Sequence, residues 1–201
     1  MKKSRIIGVT GCMGSGKSTL IHLLAKEIPV IDCDSINAGL LKKDHTGWKA
    51  LKEAGLLAMS ETGETDKPEM ARRMFSNPAY KKQVEDILQP LIIEEMDHWK
   101  EGITGLGAIE VPLLFECHLQ DHFDSIWCVL ADDDVAIRRL REGRNISEEQ
   151  ARERLAYQFP PTKKAELSNE VLYNNGTIEE LKEQMDQLLK KEVSALDRTD
   201  S

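Results

Sequence analysis

Along this chain the spacing of hydrophobic positions switches repeatedly between the short period of a strand and the longer period of a helix, and the switches mark out its elements. Ile6 to Thr10 is a short apolar, partly β-branched run that leads into glycines, the pattern of a buried strand entering a loop. From Lys17 to Glu27 the period lengthens, and Leu20, Leu23 and Leu24 fall on one helical face. A second strand is expected from Pro29 to Asp34, opened by the proline break. Two parallel strands joined by a helix form a right-handed crossover.

From Ser35 to about Gly102 the pattern is mostly helical. Trp48, Leu51 and the pair Leu56 and Leu57 make one apolar face, and Val84, Ile87, Leu88, Leu91, Ile92, Met96 and Trp99 make a longer one. Pro90 is expected to kink or break the second helix. Between the two, SETGETDKPEMARRMF carries turn residues and then a helix opened by proline. Buried strands are expected at Ala108 to Leu114 and Ser125 to Leu130, an arginine-rich helical region at Ala136 to Gln158, and a short strand at Val171 to Tyr173. The last helix uses Ile178, Leu181, Met185 and Leu188. Helices alternating with apolar strands predict an α/β fold, a parallel sheet flanked by helices. The organisation expected is one domain over 1–201, with a helical insertion at about 45–102 and an arginine-rich lid at about 136–160.

Composition narrows the function. With 40% hydrophobic and 31% charged residues this is an ordinary folded chain, and no run approaches the ~18 apolar residues of a membrane span. The net charge of -8 disfavours a nucleic-acid partner, which needs a concentrated basic surface. Cys12, Cys33, Cys117 and Cys128 show no regular spacing, so a reducing, cytoplasmic setting is expected rather than a disulfide framework. Cys117, His118 and His122 could share a helical face, but no fourth metal ligand is evident. The start Met-Lys-Lys-Ser-Arg followed by Val-Thr-Gly-Cys looks like a lipidation signal, yet the apolar run before Cys12 is shorter than the ~7 residues that export requires.

The strongest motif is GCMGSGKST, Gly11 to Thr19, which fits Gly-x-x-x-x-Gly-Lys-[Ser/Thr] between an expected strand and an expected helix. Gly11, Gly14 and Gly16 let successive backbone N–H groups turn inward on an anion, at the positive end of the new helix. Cys12, Met13, Gly14, Ser15, Gly16, Lys17, Ser18 and Thr19 are thereby the expected nucleotide contacts, with Lys17 on the outer phosphates and the Ser18 hydroxyl on Mg²⁺. Asp32 and Asp34 close the second strand, where alternation would send both side chains to one side. Asp34 is expected to accept a proton from an attacking hydroxyl, whereas Asp32 could serve as the cap of the next helix. Glu110 interrupts an apolar strand and could either anchor a Mg²⁺ water or pair with a buried arginine. Among Arg138, Arg139, Arg141, Arg144, Arg152 and Arg154, one or two are expected to close over ATP, the rest forming a solvated face.

Together the phosphate loop, VIDCDSI at Val30 to Ile36, EVPLLFE at Glu110 to Glu116, SEEQARERLAYQ at Ser147 to Gln158 and NNGTIEEL at Asn174 to Leu181 resemble the dephospho-coenzyme A kinase family over nearly the whole chain. That resemblance implies a P-loop kinase fold and ATP-dependent phosphorylation of the ribose 3′-hydroxyl of dephospho-coenzyme A. It also implies Asp34 as general base, Arg144 near the lid arginine, Asn174 and Asn175 at the adenine edge, and a helical insertion that clasps the coenzyme. The chain departs from the family pattern at Gln89, Glu110, Ser168, Asn169 and Gly143. Two alternatives stay open. One is a small-metabolite kinase of the shikimate type, which shares an Asp-x-Asp after strand two but lacks Pro-Leu-Leu-Phe-Glu. The other is a non-catalytic nucleotide-binding or coenzyme A-binding relative.

Overall fold

The computed structural model describes residues 4–144 and 158–198. Its elements, in chain order, are β1 (Ser4–Gly11), α1 (Lys17–Leu24), β2 (Val30–Asp32), α2 (Cys33–Leu40), α3 (Thr46–Glu53), α4 (Lys67–Ser76), α5 (Pro78–Glu101), β3 (Gly105–Glu110), β4 (Ser125–Leu130), α6 (Asp133–Arg144), α7 (Pro161–Leu167), β5 (Glu170–Tyr173) and α8 (Ile178–Arg198). The strands form one sheet in the order β2-β3-β1-β4-β5. β1 runs parallel to both β3 and β4, and β4 parallel to β5. Ile6, Ile7, Val9 and Thr10 on β1 are all buried, as are all six residues of β4, because a central parallel strand has both faces covered.

The chain divides into two compact units, Met1–Ile31 with Gly102–Ser201, and Asp32–Glu101. In the first, Ile7, Val9, Ala108, Trp127, Val129 and Leu172 from the sheet meet Leu20 and Leu24 of α1 and Leu181, Met185 and Leu188 of α8. Ile178, expected on that apolar face, is 58% exposed. Thr177 and Glu180 exchange hydrogen bonds at the start of α8, a capping box that leaves Ile178 on the open first turn.

The second unit is helical, with Leu51, Met70, Val84 and Leu88 at its centre and Leu56 and Leu57 packed against them. Its α4 starts as expected, Asp66 accepting the Glu69 N–H at 3.0 Å with Pro68 in the first turn. Pro90 does not break α5, which runs unbroken for 24 residues. No helix among the described residues is long and apolar enough to cross a membrane.

Two strands end earlier than expected. β3 ends at Glu110 rather than Leu114, since Pro112 has no N–H to give a ladder, and the segment turns instead with Cys117 N–H bonded to the Leu113 carbonyl. β2 ends at Asp32 rather than Asp34, for a reason that belongs to the site.

Candidate functional site

β1 delivers the chain to a turn made possible by glycine. Gly14 and Gly16 have φ of 79° and 88°, in the left-handed region that other residues avoid. A Cβ on Gly14 would meet the Ala136 carbonyl oxygen at 2.6 Å, and one on Gly16 would collide with the Asn174 carboxamide. Gly16 is also the N-cap of α1, so Lys17, Ser18 and Thr19 form its first turn; Thr19 N–H donates to the Gly16 carbonyl at 3.0 Å, while the N–H groups of Lys17 and Ser18 lie ahead of the first intrahelical bond. The loop is therefore an anion cradle set at a positive helix end.

Lys17 folds back over this cradle. Its ammonium donates to the Gly11 and Cys12 carbonyl oxygens, each at 3.0 Å. Burial lowers its pKa below the ordinary 10.5, opposed by the negative charge of Glu110 at the end of β3 and reinforced by the positive charge of Lys164. Ser18 is exposed, and its hydroxyl, like the Glu110 carboxylate, is the kind of hard oxygen donor that Mg²⁺ takes. Ser15 Oγ is buried without a hydrogen-bond partner among the described residues.

The β5–α8 turn closes on the loop from the other side. Asn174, 5% exposed, donates its side-chain N–H to the Ser15 carbonyl at 2.8 Å, and Arg139 of α6 donates to the Asn174 carbonyl at 2.8 Å. Asn175 accepts the Asp132 N–H at 2.7 Å. Both asparagines thus brace backbone around the loop. Arg138 and Arg141 are exposed along α6, as a solvated face predicts. Arg144 closes α6, but its side chain lies outside the described residues, as do Arg152 and Arg154 and most of the expected lid.

In the other unit the two acids after β2 part company. Asp32 is the N-cap of α2, its carboxylate accepting the Ser35 N–H at 2.6 Å. That bond starts the helix at Cys33 and puts Asp34 in the first helical turn, exposed, so strand alternation does not relate the two side chains.

Sequence reasoning missed two residues. Lys164, in α7, is fully buried and pairs with Glu116 at 3.0 Å, and Gln158 accepts the Met13 N–H of the phosphate loop at 3.0 Å. On sequence Lys164 is one lysine in a polar stretch and Gln158 the end of a charged one. The one available signal was Glu116, a carboxylate closing the apolar run VPLLFE.

A family model for dephospho-CoA kinase matches residues 5–180. A curated dephospho-CoA kinase of Staphylococcus epidermidis is 33% identical over 194 residues, covering 94% of this chain and 96% of its own. A crystal structure from Thermus thermophilus, TT1252, superposes with a TM-score of 0.79 at 28% identity over 94% of this chain and 98% of the other. The dephospho-CoA kinase structure from Campylobacter jejuni has a TM-score of 0.69 at 18% identity, over 96% and 98%, and at that identity speaks for the fold.

Proposed function

The chain belongs to the dephospho-CoA kinase family and is a kinase of dephospho-CoA, and from that premise we propose how its own residues carry the transfer. The observation that supports the assignment is the preformed cradle: left-handed Gly14 and Gly16, a first helical turn of N–H groups, and a buried lysine already seated against the loop. The β- and γ-phosphates of ATP lie along the segment Gly14 to Thr19, with Cys12 and Met13 beside them. Lys17 leaves the Gly11 and Cys12 carbonyls for phosphate oxygens, where its charge counts most as charge builds up on the transferring group.

The ribose 3′-hydroxyl of dephospho-CoA attacks the γ-phosphorus. The new O–P bond forms as the bond to the β-phosphate oxygen breaks, ADP leaves, and Asp34 takes the hydroxyl proton. Asp34 rather than Asp32 has this role because the Asp32 carboxylate is spent on the α2 cap. The Ser18 hydroxyl would hold Mg²⁺, with Glu110 anchoring one of its waters, and the ion would supply charge neutralisation on the phosphates. Arg144 brings a cation to the same phosphates, and Asn174, held by the Ser15 carbonyl, and Asn175, held by the Asp132 N–H, border the adenine. The helical unit receives the coenzyme. Cys12, Cys33, Cys117 and Cys128, none of them in a disulfide, suit a cytoplasmic enzyme.

The test is Asp34→Asn assayed by ADP release with dephospho-CoA, alongside ATP affinity. Asn keeps the shape but cannot take the proton, so kcat falls by roughly 10² to 10⁴ with ATP affinity kept. A fully active variant removes Asp34 from the role. ADP release with shikimate in place of dephospho-CoA would favour the shikimate-type alternative.

A further inference from the structure

A lysine with no exposed surface lies behind the phosphate loop. The Lys164 ammonium donates to the Pro112 carbonyl at 2.9 Å and pairs with Glu116 Oε1 at 3.0 Å. The same Glu116 oxygen accepts the Phe159 N–H at 2.8 Å. From this short stretch two contacts run to the loop: Met13 N–H donates to Gln158 Oε1 at 3.0 Å, and the Cys12 thiol to the Phe159 carbonyl at 3.8 Å. The charges of Lys164 and Glu116 are both felt at Cys12, and that of Lys164 at Lys17.

Burying an ion pair costs desolvation that the pair itself recovers only in part, so its stability value is small, and a role in fixing one conformation is the better-attested use. What it fixes here can be followed atom by atom. Glu116, anchored by Lys164, holds the Phe159 backbone, and that places the Gln158 carboxamide over the Met13 N–H. A glycine-rich loop loses much conformational freedom when it closes on an anion, and an outside acceptor already in place lowers that loss on binding.

We propose that Lys164, Glu116 and Gln158 are positioning residues that hold the Cys12–Met13 turn in its anion-binding form before nucleotide arrives. Met13 N–H is occupied by Gln158, so the N–H groups from Gly14 onward receive the phosphates. None of the three touches substrate, and their effect falls on nucleotide affinity more than on the chemical step. The proposal rests on the reading of the loop as the ATP site.

The experiment measures ADP binding by calorimetry, melting temperature, and KM for ATP against kcat, on the full chain. Four proteins are compared: wild type, Gln158→Leu, Lys164→Met, and the double variant Lys164→Met with Glu116→Gln. Lys164→Met alone leaves a carboxylate buried without its cation and lowers the melting temperature. The double variant removes both charges, so its melting temperature returns toward wild type while the ADP Kd stays raised about tenfold, the scale of one lost hydrogen bond. Gln158→Leu, at a half-buried position, raises Kd and KM for ATP by a similar about tenfold, with kcat changed less than about threefold. Wild-type ADP affinity in a folded double variant or in Gln158→Leu overturns the proposal. If the double variant fails to fold, Gln158→Leu decides alone. A wild-type chain that binds no ADP would instead overturn the nucleotide reading, and this inference with it.

Discussion

Lys17 holds its place in the loop with the same ammonium that, in the mechanism proposed, goes on to meet phosphate. Two carbonyl bonds at 3.0 Å seat it, and burial draws its pKa down from 10.5. Replacing it with Ala removes the cation at the transferring group, and turnover falls by about 10² or more. The melting temperature should stay near wild type, since the buried ammonium carries its own desolvation cost; a normal kcat for Lys17→Ala would remove the lysine from the mechanism. The lowered pKa has a second consequence with a definite sign. Phosphate needs the charged form, so ADP affinity falls as pH rises through the Lys17 value, beginning below the 10.5 of an ordinary lysine. A Kd series on the alkaline side checks this, and Lys17→Arg, which does not titrate there, should flatten it.

At the scale of elements, α2 decides which acid the proposed chemistry can draw on. Because the Asp32 carboxylate caps the helix, the chain turns helical at Cys33 and Asp34 rides in the first turn. Asn caps as well as Asp, so Asp32→Asn should leave both kcat and melting temperature close to wild type, whereas Asp32→Ala loses about 1 kcal/mol of local stability and disturbs the turn carrying Asp34. A loss of kcat in Asp32→Asn as deep as in Asp34→Asn would make Asp32 a chemical group and not a cap. The same lesson runs through β3. The run GAIEVPLLFE reads as one strand by hydrophobicity, but Pro112 ends the ladder and frees Leu114 and Phe115 to pack in a turn that carries Glu116 to Lys164.

For the whole molecule, the closing contact is made by the last helix. Glu192 on α8, 4% exposed, accepts hydrogen bonds from the Trp127 indole on β4 and from Arg5 on β1, 187 positions earlier. Burial by itself would raise its pKa, but the hydrogen bonds from Ser125, Arg5 and Trp127 outweigh burial and hold it below the ordinary 4.5. A carboxyl with a depressed folded pKa contributes stability that is complete above its unfolded value and is lost as pH falls through the folded one. Glu192→Gln keeps the shape but leaves Arg5 without its anion, so stability at neutral pH drops by about 2 kcal/mol, reduced from a fully buried pair because Arg5 is partly exposed. The variant should also lose part of the acid-side fall in melting temperature; an unchanged acid profile would show that Glu192 does not titrate with folding.

The residues of Gly11 to Thr19 determined the phosphate loop by themselves, because strand, glycines, lysine and helix start are neighbours in the chain and each acts through its own backbone. β4, the N-terminal end of α4 and the apolar faces of α3 and α5 were legible for the same reason: period and capping are local. Tertiary structure alone decided what happens between distant positions. Lys164, Gln158 and Arg139 read as solvated charge and polarity along the sequence, yet the fold brings them to Glu116, Met13 and Asn174, which lie 48, 145 and 35 positions away. The fate of Asp34 also had two local answers, strand end or first helical turn, and the hydrogen bond from Ser35 to Asp32 chose the second. A side chain's type states what it can bond to; only the packed chain states which partner lies within reach once water has been excluded.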